Sequence, residues 1–128
     1  MNTGRILVVE DNPLNLKLIR DVLVLLGYDV MEARSGEEGV NLAHQRVPDL
    51  VLMDLQLPGI DGVEALRLLR LDPAVSDVPV VAVTAFAMKE DRQRAVANGF
   101  DGYLSKPISI RALPAQVEAF LRRVRPDG

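Results

Sequence analysis

The sequence predicts an α/β fold in which a parallel sheet carries helices on both faces. Short runs rich in Val, Ile and Leu recur at residues 6–9, 50–53 and 80–83, as strands buried on both sides require. Segments of helical length and period separate these runs, and parallel neighbours need such crossovers. The pattern repeats as five βα units within 128 residues, a length that fits one domain.

The first strand ends at Glu10-Asp11, and Asn12 with Pro13 behind it reads as the cap and first position of a helix. Leu14, Leu18, Ile19, Val22, Leu23 and Leu26 form its apolar stripe, and Gly27 ends it. The alternating segment 29–33 is a shorter strand near an edge of the sheet. Ser35 followed by Glu38 resembles a capping box for a helix that runs to about Gln45. The run 50–53 ends at Asp54, and Pro58-Gly59 makes a turn before a helix that starts near Gly62 and carries Val63, Leu66, Leu69 and Arg70. Asp72-Pro73 closes that helix. The run 80–83 ends at Thr84, and residues 89–98 read as a charged helix with a thin apolar face, ended by Gly99. Tyr103-Leu104-Ser105 is the fifth strand and stops at Lys106-Pro107. Residues 110–123 form the last helix, with Leu113, Val117, Phe120 and Leu121 facing inward and Pro114 in its first turn.

Composition narrows the function. There is no cysteine, which excludes disulfides, zinc-thiolate sites and thiol chemistry. The net charge of −3 offers no basic field for nucleic acid, and the 15 Lys and Arg are scattered. No apolar stretch reaches membrane-spanning length, and the start lacks a signal peptide's apolar region. A soluble cytoplasmic domain filling the chain, without nucleic acid or membrane as partner, is expected.

In an open parallel sheet, ligands bind beyond the carboxyl ends of the strands. Three carboxylates (Glu10, Asp11, Asp54), the Thr84 hydroxyl and the Lys106 ammonium are therefore expected on one patch. At a strand's end the chain turns, so the adjacent Glu10 and Asp11 can both reach one ion. Three close carboxylates repel one another by a few kcal/mol per pair at an effective dielectric near 20, which calls for Lys106 or a bound cation. All-oxygen ligation with open water positions suits Mg2+ better than zinc or copper. Asp54 is the best nucleophile in the set, because no Ser or Thr has a histidine base in any evident motif. A carboxylate needs no deprotonation to attack a phosphoryl group; the site then has to neutralise the phosphoryl oxygens, with a metal on Asp11 and Asp54, Lys106 and Thr84 as the available groups. Lysine at the end of a buried strand is unusual, and a cis bond to Pro107 would aim it inward.

Glu10-Asp11, Asp54, Thr84-Ala85 and Lys106-Pro107, in this order and on these elements, resemble the signature of the response-regulator receiver domain of the CheY type. The resemblance covers residues 5–123, and the stretches 8–12, 53–58 and 82–88 are similar to single-domain regulators of the DivK type and to receiver domains of hybrid sensor kinases. It implies a flavodoxin-like (βα)5 sheet of strand order 2-1-3-4-5. It implies a phosphoryl group accepted on Asp54 from a phosphohistidine of a sensor histidine kinase or a histidine phosphotransfer protein. Glu10, Asp11, Asp54 and the Gln56 carbonyl would hold Mg2+, Lys106 would bind the phosphoryl group, and Thr84 would swing to meet it while Tyr103 turns inward. A downstream protein would read the 89–123 face of a monomer or weak dimer. Phe86, two residues past Thr84, leads us to expect slow self-dephosphorylation.

Other classes fit less well. A receiver serving as phosphate sink or unphosphorylated scaffold keeps the same fold. A haloacid-dehalogenase-like phosphatase would place a second aspartate at position 56, where this chain has Gln56. The lone His44 lacks a phosphotransfer motif and reads as a solvated residue at a helix end, Arg122, Arg123 and Arg125 as complements to a helix dipole, and Met31, Met53 and Met88 as packing residues.

Overall fold

The computed structural model describes residues 4–85 and 89–122, and for 89–92 the backbone alone. Ten elements alternate: β1 (Arg5–Val9), α1 (Pro13–Leu25), β2 (Asp29–Ala33), α2 (Gly36–Gln45), β3 (Leu50–Asp54), α3 (Gly62–Leu71), β4 (Val80–Thr84), α4 (Lys89–Ala97), β5 (Gly102–Ser105) and α5 (Leu113–Leu121). The strands form one parallel sheet in the order β2-β1-β3-β4-β5, so the chain reverses direction across the sheet between β1 and β3. That reversal splays the loops after β1 and β3 apart and opens a crevice at their carboxyl ends.

Alternation along each strand sorts the core into two halves. Ile6, Val8, Leu50, Leu52, Val81 and Val83 face Leu16, Ile19 and Leu23 of α1 and Leu113 and Val117 of α5. Leu7, Val9, Val51, Met53, Val80 and Ala82 face the other way, against Val40 and Ala43 of α2, Leu66 and Leu69 of α3 and Ala95 of α4. β3 is buried along its whole length, including Asp54. That places a carboxylate at the end of a fully desolvated strand.

Local chemistry sets the helix ends. The Asn12 side chain accepts from the amides of Leu14 and Asn15, and Pro13 opens α1. Ser35 Oγ accepts from the Glu38 amide, and the Glu38 carboxylate returns to the amide of Arg34, one residue before the box's usual partner. Asp61 caps α3 through the Glu64 amide, and Gly27 takes a φ of +98° past the end of α1.

Three expectations need correcting. The last helix starts at Leu113, not at residue 110: Ser109 first ties a turn, its hydroxyl accepting from the Ala112 amide and its carbonyl from the Leu113 amide, and Pro114 then opens the helix. On α1, Leu14 is 77% exposed and Leu16 is buried in its place, because the packed face runs through 16, 19 and 23. His44 is not simply solvated, since its Nδ1 pairs with Asp72 across the ends of α2 and α3. Arg122 pairs with Glu118, whereas Arg123, Arg125 and Met88 lie outside the described residues. Met31 and Met53 are core residues.

Candidate functional site: an acidic crevice with one lysine

The reversal of strand order places the ends of β1 and β3 side by side, with Val9 opposite Met53 in the register. Glu10 and Asp11 follow one strand and Asp54 ends the other, and one carboxylate oxygen from each lies within 4.8 Å of the other two. Glu10 and Asp54 are buried and Asp11 is exposed, so the cluster has a closed floor and one open wall. At that separation each pair of charges repels by roughly 3 kcal/mol at an effective dielectric near 20.

Lys106 supplies the opposite charge. Its Nζ lies 2.9 Å from Asp54 Oδ2 and 3.0 Å from Glu10 Oε1. The backbone brings it there: the Lys106 amide donates to the Thr84 carbonyl at 2.8 Å, and the Lys106–Pro107 bond is cis. Burial pulls the ammonium's pKa down, but Asp54 and Glu10 outweigh it and hold Lys106 above the ordinary lysine value. Glu10 goes the other way for a carboxylate. Burial first, and the adjacent Asp54 second, push it up to about 6, against the pull of Lys106 and the Asn12 amide.

A backbone amide holds one oxygen of each buried carboxylate. The Gln56 amide donates to Asp54 Oδ1 at 2.9 Å, and the Asn12 amide to Glu10 Oε2 at 3.1 Å. Glu10 Oε1 faces Lys106 off the hydrogen-bond direction and has no hydrogen-bond partner among the described residues. A hard divalent cation fits such a set: one exposed and two buried carboxylates, one of them with a buried oxygen that meets Lys106 as an ion pair and makes no hydrogen bond among the described residues.

Thr84 ends β4, buried, next to Val83, which pairs with Asp54 in the register. Alternation puts its side chain on the face shared by Val80 and Ala82, the α4 side of the sheet. Tyr103 pairs with Ala82 one step back, half-buried against the same cluster. Thr84 and Tyr103 thus share one face. Phe86 lies outside the described residues.

The sequence reading missed the supports of the loop after Asp54. A Cβ on Gly62 would stand 2.6 Å from the Asp54 carbonyl oxygen and 2.9 Å from Leu55 Cα, so that position requires glycine. The α2 residues Gly36 and Glu37 close on the same loop, Gly36 against Ile60 and the Glu37 carboxylate against the Ile60 amide at 3.4 Å and beside Gly59. No local signal pairs residue 37 with residue 60, because only strand order brings α2 beside that loop.

The model of the response regulator receiver domain matches residues 6–118. The chain belongs to that family. Over 119 residues, 93% of this chain and 97% of the relative, it is 44% identical to the polar-differentiation response regulator DivK of Brucella ovis. Among solved structures, a response regulator from Chloroflexus aurantiacus superposes with a TM-score of 0.89 at 30% identity, covering 95% of this chain and all of that one. The receiver domain of the sensor histidine kinase PA1611 from Pseudomonas aeruginosa, with a magnesium ion coordinated in its active-site cleft, superposes with a TM-score of 0.85 at 35% identity, covering 94% and 98% of the two chains. No helix among the described residues is long and apolar enough to cross a membrane.

Proposed function

We propose that this receiver domain is a phosphorylation switch of a two-component relay, with Asp54 as the acceptor. One observation carries the reading. Asp54 is the buried carboxylate at the end of β3, with Oδ1 fixed by the Gln56 amide and Oδ2 by Lys106, inside an acidic cluster that is open on one side. A carboxylate fixed in this way is a nucleophile needing no base. An oxygen of Asp54 attacks phosphorus, the P–N bond to a phosphohistidine of a sensor histidine kinase or histidine phosphotransfer protein breaks, and the imidazole, already protonated on its other ring nitrogen, leaves with that electron pair as the neutral base.

Glu10, Asp11, Asp54 and the carbonyl of Gln56 would hold Mg2+, as the donor chemistry and the all-oxygen cluster favour. When bound, that ion supplies positive charge against the phosphoryl oxygens. Lys106 already stands 2.9 Å from Asp54, so it can shift to a phosphoryl oxygen and stabilise the transferred group without reorganising the loop. The Thr84 hydroxyl donates to another oxygen. Phosphorylation adds about −1.5 to −2 charge at Asp54; Thr84 and Tyr103 share the α4 face beside it, and their rearrangement would carry the signal to the 89–123 surface that a downstream protein reads.

Intact mass after incubation with Mg2+ and acetyl phosphate, beside Asp54→Asn, tests the reading. One phosphoryl group on the wild type alone, lost when EDTA replaces Mg2+ during the reaction, is the expected result. No adduct on the wild type, or an equal adduct on Asp54→Asn, overturns it.

A further inference from the structure

Beside the crevice, behind Thr84, lies a second hollow with a volume of about 200 Å³. Its walls are Leu55, Val63, Ala95 and Phe100, and Thr84 and Arg94 bring polar groups to it. It meets a shallower groove between α3 and α4 of about 340 Å³, since Val63 and Asn98 line both, and so has an entrance from the surface. Three arginines line the two hollows. Arg67 is bound to Glu64, and Arg70 is bound to Asp101 and to the carbonyls of Ser76 and Val78. Arg94 makes no ion pair among the described residues, and it lines a mainly apolar cavity.

We infer that this hollow is a binding site for a small aromatic carboxylate, its ring against Leu55, Val63, Ala95 and Phe100 and its carboxylate on Arg94. A guanidinium matches a carboxylate with two parallel hydrogen bonds, which an uncharged or cationic ligand cannot form. The apolar walls reward a ring rather than an inorganic anion, and a volume of about 200 Å³ accommodates a single ring. Gln56, whose amide fixes Asp54, also reaches the lining, so the hollow abuts the acceptor loop.

The position has a regulatory consequence, which rests on the phosphorylation reading above. The occupant touches Thr84 where that residue rests before phosphorylation. A ligand that binds this arrangement better than the switched one holds the domain in the resting form, and by linkage phosphorylation expels the ligand by the same factor. Acid and ring act on the switch without touching Asp54, since of the acceptor loop only Leu55 and Gln56 reach the lining.

Benzoate is the probe. Titrated into the Mg2+-loaded protein and followed by backbone and methyl resonances, it should shift signals of Leu55, Val63, Ala95 and Phe100 with a Kd on the order of millimolar, as about nine heavy atoms allow. Arg94→Gln should weaken it roughly tenfold, Arg94→Lys less, and Val63→Phe at the half-exposed rim should block it; benzyl alcohol, which has the ring without the charge, should bind as weakly as benzoate binds Arg94→Gln. Absence of shifts at those residues up to tens of millimolar, or equal binding to wild type and Arg94→Gln, overturns the site. Benzoate at a few times its wild-type Kd should also slow acetyl phosphate labelling in the wild type, and slow Arg94→Gln much less at the same concentration. Binding without this slowing overturns the coupling alone, and failure of labelling without benzoate strikes the phosphorylation reading while the binding result still stands.

Discussion

The acidic crevice has to cost stability when empty, and Glu10 sets how much and at which pH. Its carboxyl is pushed from 4.5 up to about 6 by burial and by Asp54. Because the folded value lies above the unfolded one, the native state holds the proton more tightly. The stabilising contribution of protonated Glu10 is complete below about pH 4.5 and is lost as pH rises through about 6. A shift of about 1.5 units corresponds to about 2 kcal/mol. In Glu10→Gln this contribution is absent, so the variant gains on the wild type by about 2 kcal/mol between pH 4 and 7.5. Urea denaturation of both proteins in EDTA across that range measures the difference, and groups common to both cancel. Added Mg2+ should recover the wild type at neutral pH and do much less for the variant. A stability difference constant to within about 0.5 kcal/mol across the range would refute the argument, because Glu10 would then carry no extra cost of ionisation in the fold.

Three further outcomes follow from the same geometry. Lys106→Met leaves Asp54 and Glu10 without their cation and should cost about 2–3 kcal/mol in EDTA, below the fully buried range because the lysine side chain keeps 18% exposure, with a larger rescue by Mg2+ than the wild type shows; equal losses with and without Mg2+ would count against the charge balance. Gly62→Ala drives a Cβ into the Asp54 carbonyl and Leu55 Cα, both backbone, and should cost about 1–3 kcal/mol and lower Tm by several degrees; an unchanged melting curve would mean the acceptor loop is not clamped there. Arg70→Met removes the donors to Asp101, Ser76 and Val78 and should destabilise by about 2–3 kcal/mol, with faster amide exchange at Val80, whose N–H donates to the same Asp101 oxygen; unaltered exchange at Val80 would contradict the role of that hub.

Much of the fold was legible because periodicity is local. Runs buried on both faces announced β1, β3 and β4, and caps such as Asn12-Pro13 and Ser35 fixed helix starts to the residue. Where a local rule had two solutions, the sequence reading slipped. The start of α5 moved from residue 110 to Leu113 because Ser109 offered a competing turn, and the packed face of α1 rotated to Leu16 because apolar residues nearly encircle that helix. His44 found Asp72 only because α2 and α3 lie side by side.

The site divides in the same way. Which residues end each strand, and that they are three acids, a hydroxyl and an ammonium, is written in the chain, because a strand's last residue and its chemistry are local facts. That these ends meet depends on strand order, and so do the spread of the carboxylates within 4.8 Å, the unequal burial of Asp11 and Asp54, the pairing of Lys106 with Glu10 and the closing of Glu37 on the acceptor loop. Desolvation and Coulomb repulsion act through space, so only the tertiary structure could decide which of the carboxyls is pushed up to about 6 and that Arg94 lines a mainly apolar hollow.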